Sequence, residues 1–137
     1  HPALWQRDFS DEGFRWVDAS DTDNSVLSFL RMGSGARDVL LPGPSADPLA
    51  GVTPPPLGID VVLCVANLTP VPQRHYRIGV PVRGRWIEVL NTDAVEFGGS
   101  GMGNGGQVWS ADAGWHGLPA SIELTLPPLG VLWLTPD

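Results

Sequence analysis

The chain has 137 residues, 42% of them hydrophobic, and a net charge of −7. A domain of this order buries about 68–70% of its unfolded surface and folds without disulfide or metal support, whereas a complete (β/α)8 barrel needs about 250 residues. Nucleic acid and anionic membrane surfaces recruit clustered positive charge, and here the eight basic residues, all arginine, are scattered along an acidic chain.

Residues 2–9 read as a segment finishing or following a helix, with Leu4 and Trp5 packing onto a neighbour. Asp18, Asp21 and Asp23 lack the glycine and distal glutamate of a calcium loop. They read as a polar turn whose side chains bond local backbone amides. Residues 25–31 (SVLSFLR) have strand character. Residues 33–58, rich in Pro, Gly, Ala and Ser, are expected to form a surface insertion between two strands. A long loop of this kind is unusual in a compact domain; a folding lid or partner contact is the alternative, with Val39, Leu40 and Leu41 as its obvious anchor.

Residues 61–68 (VVLCVANL) form a near-continuous apolar run, the pattern of a central strand covered on both faces. Cys64 lies within it and reads as a small buried hydrophobe. The sequon at Asn67-Leu68-Thr69 is followed at once by Pro70 and is discounted. Further strands are expected at 76–80 (YRIGV), 85–90 (RWIEVL), 121–126 (SIELTL) and 131–134 (VLWL). Short runs separated by dense Gly and Pro punctuation point to an all-β sandwich or barrel.

Residues 101–106 (GMGNGG) satisfy G-x-G-x-x-G literally. No helix pattern follows to receive a phosphate at its N-terminus, so the glycines read as tight-turn residues and not as a dinucleotide site. The histidines have no metal-like spacing, and His116 reads as an imidazole holding a loop against the backbone. Trp86 and Trp133, in strands, are expected core residues. Trp109 and Trp115 fall in Gly-containing loops, where an aromatic face can either pack on the sheet or meet the apolar face of a sugar.

In order and density, the segments 13–31, 67–81, 84–93 (GRWIEVLNTD), 98–106, His116-Gly117 and 124–129 (LTLPPL) closely resemble the C-terminal all-β domain of bacterial glycogen (1,4-α-glucan) branching enzymes, of the α-amylase superfamily. The resemblance covers nearly the whole chain. It implies an antiparallel Greek-key β-sandwich of about seven or eight strands, spanning 1–137, with 1–12 as the junction to a preceding catalytic barrel. Residues 33–58 depart from the family pattern, in which a short turn joins the two strands.

In that family the parent enzyme cuts an α-1,4-glucan and transfers it to a glucose 6-hydroxyl by a retaining mechanism, using carboxylates about 5–5.5 Å apart. Those carboxylates belong to the barrel. None maps onto this chain, so no catalytic residue, cofactor or metal is assigned. The implied partners are the barrel, with Leu4, Trp5 and Phe9 as candidate contacts, and α-glucan such as glycogen or amylose, with Trp109, Trp115 and His116 as candidate contacts. A carbohydrate-binding module in its own right is the alternative. The opening His1 in place of Met is what a fragment or processed product would show. With neither a leader pattern nor a membrane-length apolar run, the cytoplasm is the expected location.

Overall fold

The computed structural model describes residues 1–41 and 60–137. Eight strands are present among them: β1 (Phe14–Asp21), β2 (Val26–Met32), β3 (Val61–Asn67), β4 (Gln73–Val80), β5 (Arg85–Asn91), β6 (Gln107–Trp109), β7 (Ala120–Leu126) and β8 (Val131–Pro136). All pairings are antiparallel. One sheet has the order β1-β2-β3-β8-β5-β6, and the second pairs β4 with β7. The chain therefore crosses between sheets at β3 to β4, β4 to β5, β6 to β7 and β7 to β8. This non-sequential two-sheet order is the expected sandwich.

Alternation along the strands builds the core. Val26, Leu30 and Met32 of β2, Leu63 and Val65 of β3, and Leu132 and Leu134 of β8 face Ile78 and Val80 of β4 and Ile122, Leu124 and Leu126 of β7. β3 is buried on both faces, as its unbroken apolar run requires. Its other face, Val62 and Cys64, packs with Ala3 and Leu4 of the N-terminal 3-10 turn Pro2–Leu4, and with Phe29 and Trp133. Burial pushes the Cys64 thiol up to about 12, which leaves it a packing residue and no nucleophile at neutral pH. Asn67, also buried, donates from its amide to the Val71 and Pro127 carbonyls at 2.9 and 3.0 Å. The sequon asparagine is thus a clamp between two loops.

Three sequence expectations are corrected. Asp18 lies inside β1, not in a turn. β1 is an edge strand with register shifts between Trp16 and Asp18 and again between Asp18 and Asp21, and these break the alternation that would have marked it. Asp21 does cap the turn that follows, accepting from the Asn24 amide at 3.2 Å. Trp109 ends the three-residue edge strand β6, not a loop, and among the described residues the strand partner of β6 is β5. Trp133 is only partly buried. It faces outward on β8 while Trp86 fills the core.

Residues 36–40 form a short helix, α1 (Ala36–Leu40), with Ala36 and Leu40 buried in the main core and Leu41 packed against it. The rest of the expected insertion, 42–58, lies outside the described residues. Among the described residues no helix is long and apolar enough to cross a membrane.

Candidate functional site

The segment between β6 and β7 folds as a strap across the outer face of the β4–β7 sheet. Ala111 and Ser121 form an isolated bridge, and Ser110 donates its amide to the Gly84 carbonyl at 2.9 Å. The strap ends in a hairpin in which Trp115 and Leu118 exchange backbone hydrogen bonds of 3.1 and 2.9 Å. The two central residues, His116 (φ 52°) and Gly117 (φ 72°), both take positive φ, as a type I′ turn demands. The hairpin rests directly on Gly79 of β4. A methyl group at Gly79 would overlap the Trp115 carbonyl oxygen and touch the His116 side chain.

His116 locks this turn in place. The Gly79 amide donates to its Nδ1 at 3.1 Å, which puts the proton of the neutral ring on Nε2, 3.5 Å from the Asp18 carboxylate. Below lies a second carboxylate, Asp21, which accepts from the Tyr76 hydroxyl and from the Asn24 amide. Burial raises the Asp21 carboxyl, but the bonds from Tyr76 and Asn24 outweigh it and leave the group below its usual range. Burial, with the Asp21 bond, pushes the Tyr76 phenol well above its usual range.

Burial also holds the His116 imidazole below its ordinary value, against the opposing pull of Asp18 and Asp21. The folded chain therefore binds this proton less readily than the unfolded one. The stability involved is complete above the unfolded value of 6.5 and is lost as pH falls through the lower folded value. Urea midpoints are expected to decline as pH drops from about 7.5 to about 5, and His116→Asn, which still offers an acceptor but cannot titrate, should flatten that decline. A wild-type midpoint constant across the range would contradict this reading.

Of the expected sugar contacts, Trp115 and Trp109 are open to solvent, at 46% and 68% exposure, while His116 is mostly covered. Trp115 meets His116 edge-on at 6.0 Å. Arg77 of β4 lines one depression with Trp109 and another with Trp115. Its guanidinium lies 5.5 Å above the Trp115 ring and pairs with Glu123 of β7 at 3.1 Å. The first depression is shallow and also includes Val108 and Ser121. The second also includes Tyr76, His75 and Asp18. The sequence offered no sign of Arg77's position, which depends on the register pairing Arg77 with Glu123.

The glycine-rich loop is held by its own side chains. Asn91 donates to the Met102 carbonyl at 2.8 Å, and Asp93 accepts from the Ser100 amide at 3.1 Å and from its hydroxyl. Asn104 takes the place of a strand neighbour for Thr125, accepting from its amide at 2.8 Å and donating to its carbonyl at 3.1 Å. These bonds tie the loop to β5 and β7, in keeping with the tight-turn reading. Among the described residues no group of three His, Cys, Asp or Glu side chains is placed to hold a metal ion.

The candidate contacts near the N-terminus separate. Leu4 is partly buried against Ala3, Val62 and Cys64. Trp5 is 67% exposed and Phe9 fully so. On the same outer sheet face the register sets Trp16 of β1 opposite Phe29 of β2, and Phe14, Trp16 and Phe29 form an aromatic cluster with ring centroids 5.1–5.7 Å apart. Trp16 remains half-exposed. Sequence reading missed this cluster, although the alternation Phe14-x-Trp16 was there to find.

Residues 57–137 match the family model described as alpha amylase, C-terminal all-beta domain. The chain is 46% identical over 136 residues to the 1,4-alpha-glucan branching enzyme GlgB of Mycobacterium tuberculosis (strain ATCC 25618 / H37Rv), covering 99% of this chain and 16% of that protein. To the 1,4-alpha-glucan branching enzyme GlgB of Cereibacter sphaeroides it is 45% identical over 135 residues, covering 98% of this chain and 15% of that protein. The chain thus spans less than one fifth of the length of these curated relatives.

Proposed function

Because this chain belongs to the alpha amylase C-terminal all-beta domain family, we propose that it is the non-catalytic C-terminal module of a 1,4-alpha-glucan branching enzyme. Its parent transfers α-1,4-glucan segments to make the α-1,6 branches of glycogen in the cytoplasm. The direct task of the module is to pack on the parent's catalytic barrel. What carries this reading is the alignment over 99% of the chain to proteins about six times its length.

The exposed aromatics supply the physical support. Trp5, Phe9 and Trp16 leave apolar surface open on the N-terminal side of the six-stranded sheet. Full burial of a large apolar side chain is worth about 1.5–3 kcal/mol, so a docked barrel would gain several such contributions. Ion pairs edge this region, Arg31 with Asp8 at 2.7 Å and Arg7 with Glu12 at 3.4 Å.

The test is the double substitution Trp5→Asp, Phe9→Asp. In the isolated chain both side chains face water, so its stability should move by no more than about 0.5 kcal/mol. In the parent enzyme the same pair should lower the melting temperature and loosen the module, seen as faster proteolysis at the junction. A parent as stable as wild type would remove this face as the docking surface.

The second reading, a module that holds α-glucan on its own account, is favoured by one observation, the solvent-open rings of Trp109 and Trp115 beside charged side chains.

A further inference from the structure

We propose that Asp60 splices residues 1–5 onto the outer face of the six-stranded sheet, so that the segment joining this module to a preceding barrel is a rigid splint and not a flexible tether. The inference rests on the reading of residues 1–12 as that junction. It goes further by naming the residue that fixes the path of the chain there.

Segments that connect domains are ordinarily exposed and make few contacts across the boundary, which leaves the domains free to move relative to one another. The start of this chain does the opposite. Ala3 has no solvent exposure and Leu4 is partly buried, both packed with Val62 and Cys64 of β3. The register puts Cys64 in one row with Phe29 of β2 and Trp133 of β8, and both of these rings pack against the same cluster.

Burying the turn creates a hydrogen-bonding demand that its own residues do not meet. Pro2 has no N–H to satisfy. Leu4 donates its amide to the His1 carbonyl and Trp5 to that of Pro2, each at 3.1 Å. The Ala3 amide is the donor left over, and it meets Oδ2 of Asp60 at 2.7 Å. The other carboxylate oxygen, Oδ1, lies 3.1 Å from Nδ1 of His1. The Asp60 carbonyl accepts from the Gly33 amide at 2.8 Å, just past the end of β2. One residue at the head of β3 thus caps the turn from outside with a charged acceptor and ties it to the sheet.

The later links belong to other side chains. Gln6 accepts from the Ser34 amide at 3.1 Å, Arg31 holds Asp8 at 2.7 Å, and Arg37 donates to the Asp11 carbonyl at 2.6 Å. The bonds to Asp60 come first along the chain, so they set the direction in which it leaves the sheet.

Amide hydrogen exchange of this chain, followed by NMR, tests the splint. Asp60→Ala should speed exchange at Ala3 about tenfold or more, the scale of a lost hydrogen bond to a charged group, while the amides of β3 and β8 exchange as in wild type. Asp60→Asn, which keeps an oxygen for Ala3 without the charge, should fall between the two. Asp23→Ala, which removes one negative charge from the exposed turn between β1 and β2, should leave Ala3 as in wild type. In the parent enzyme, exchange read by mass spectrometry should find the peptide holding residues 1–5 slow in wild type and fast in Asp60→Ala.

Fast exchange at residues 1–5 of the wild-type parent would mean a tether and overturn the proposal, as would an Ala3 amide indifferent to Asp60→Ala. Loss of protection throughout β3 in both Asp60 variants would also overturn it, because Asp60 would then support the whole fold and not the junction. The docking reading is judged separately by the Trp5 and Phe9 substitutions, since the Ala3 measurement on this chain needs no barrel.

Discussion

Replacing Trp86 by alanine should cost the fold about 3–5 kcal/mol, the loss expected when a large buried aromatic is truncated. Trp86 has no solvent exposure and sits in the core between the two sheets. Its backbone pairs on one side with Val108 of β6 and on the other with Pro136 of β8. Its indole donates to the Val82 carbonyl at 3.1 Å, so truncation also strands a buried acceptor. Two terms therefore act in the same direction, a cavity that the rigid strands cannot close and an unsatisfied carbonyl. Trp86→Phe separates them, because it restores most of the ring volume without the N–H. Urea midpoints should rank wild type above Trp86→Phe and Trp86→Ala lowest. A loss below about 1 kcal/mol for Trp86→Ala would mean that the core is not built around this ring.

Gly79→Ala is the second large effect, and its cause is different. Gly79 lies in regular strand, so backbone strain is not the issue. The space above its Cα is filled by the backbone of the Trp115–His116 turn. An added methyl must lift the hairpin, and with it goes the bond from the Gly79 amide to His116. Overpacking of this kind costs about 1–3 kcal/mol, and the lost hydrogen bond adds about 0.5–1.5 kcal/mol. The change should also separate Trp115 from Arg77, seen as a change in tryptophan fluorescence at temperatures where the variant is fully folded. A variant as stable as wild type, with unchanged amide signals at residues 115–117, would contradict the close approach described here.

Both effects come from long-range contacts, and this is where the sequence was least legible. Six strands followed from local pattern. Alternation marked β7, and the two-sided burial of β3 showed as an apolar run with no polar break. β1 was hidden because its two register shifts interrupt the period of two that identifies a strand. β6 was hidden because three residues carry no period at all. α1, at five residues, is likewise shorter than a helical repeat can reveal. At the candidate site, the identities of Trp109, Trp115 and His116 were available in the sequence, but what joins them was not. The Gly79–His116 bond spans 37 residues. The Arg77–Glu123 pair spans 46. The aromatic cluster of Phe14, Trp16 and Phe29 likewise exists only once β1 and β2 are set in register.

The most direct test of the central claim, a non-catalytic module that serves a barrel, is reconstitution in trans. The parent's remaining residues and this chain would be purified separately, mixed, and examined by size-exclusion chromatography with light scattering, alongside a branching assay on amylose. The account predicts no branching by this chain alone and co-elution of wild type with the barrel at one to one. It further predicts loss of that complex with the Trp5→Asp, Phe9→Asp variant. Branching by the isolated chain, or a well-folded wild-type chain that never co-elutes with the barrel, would contradict it.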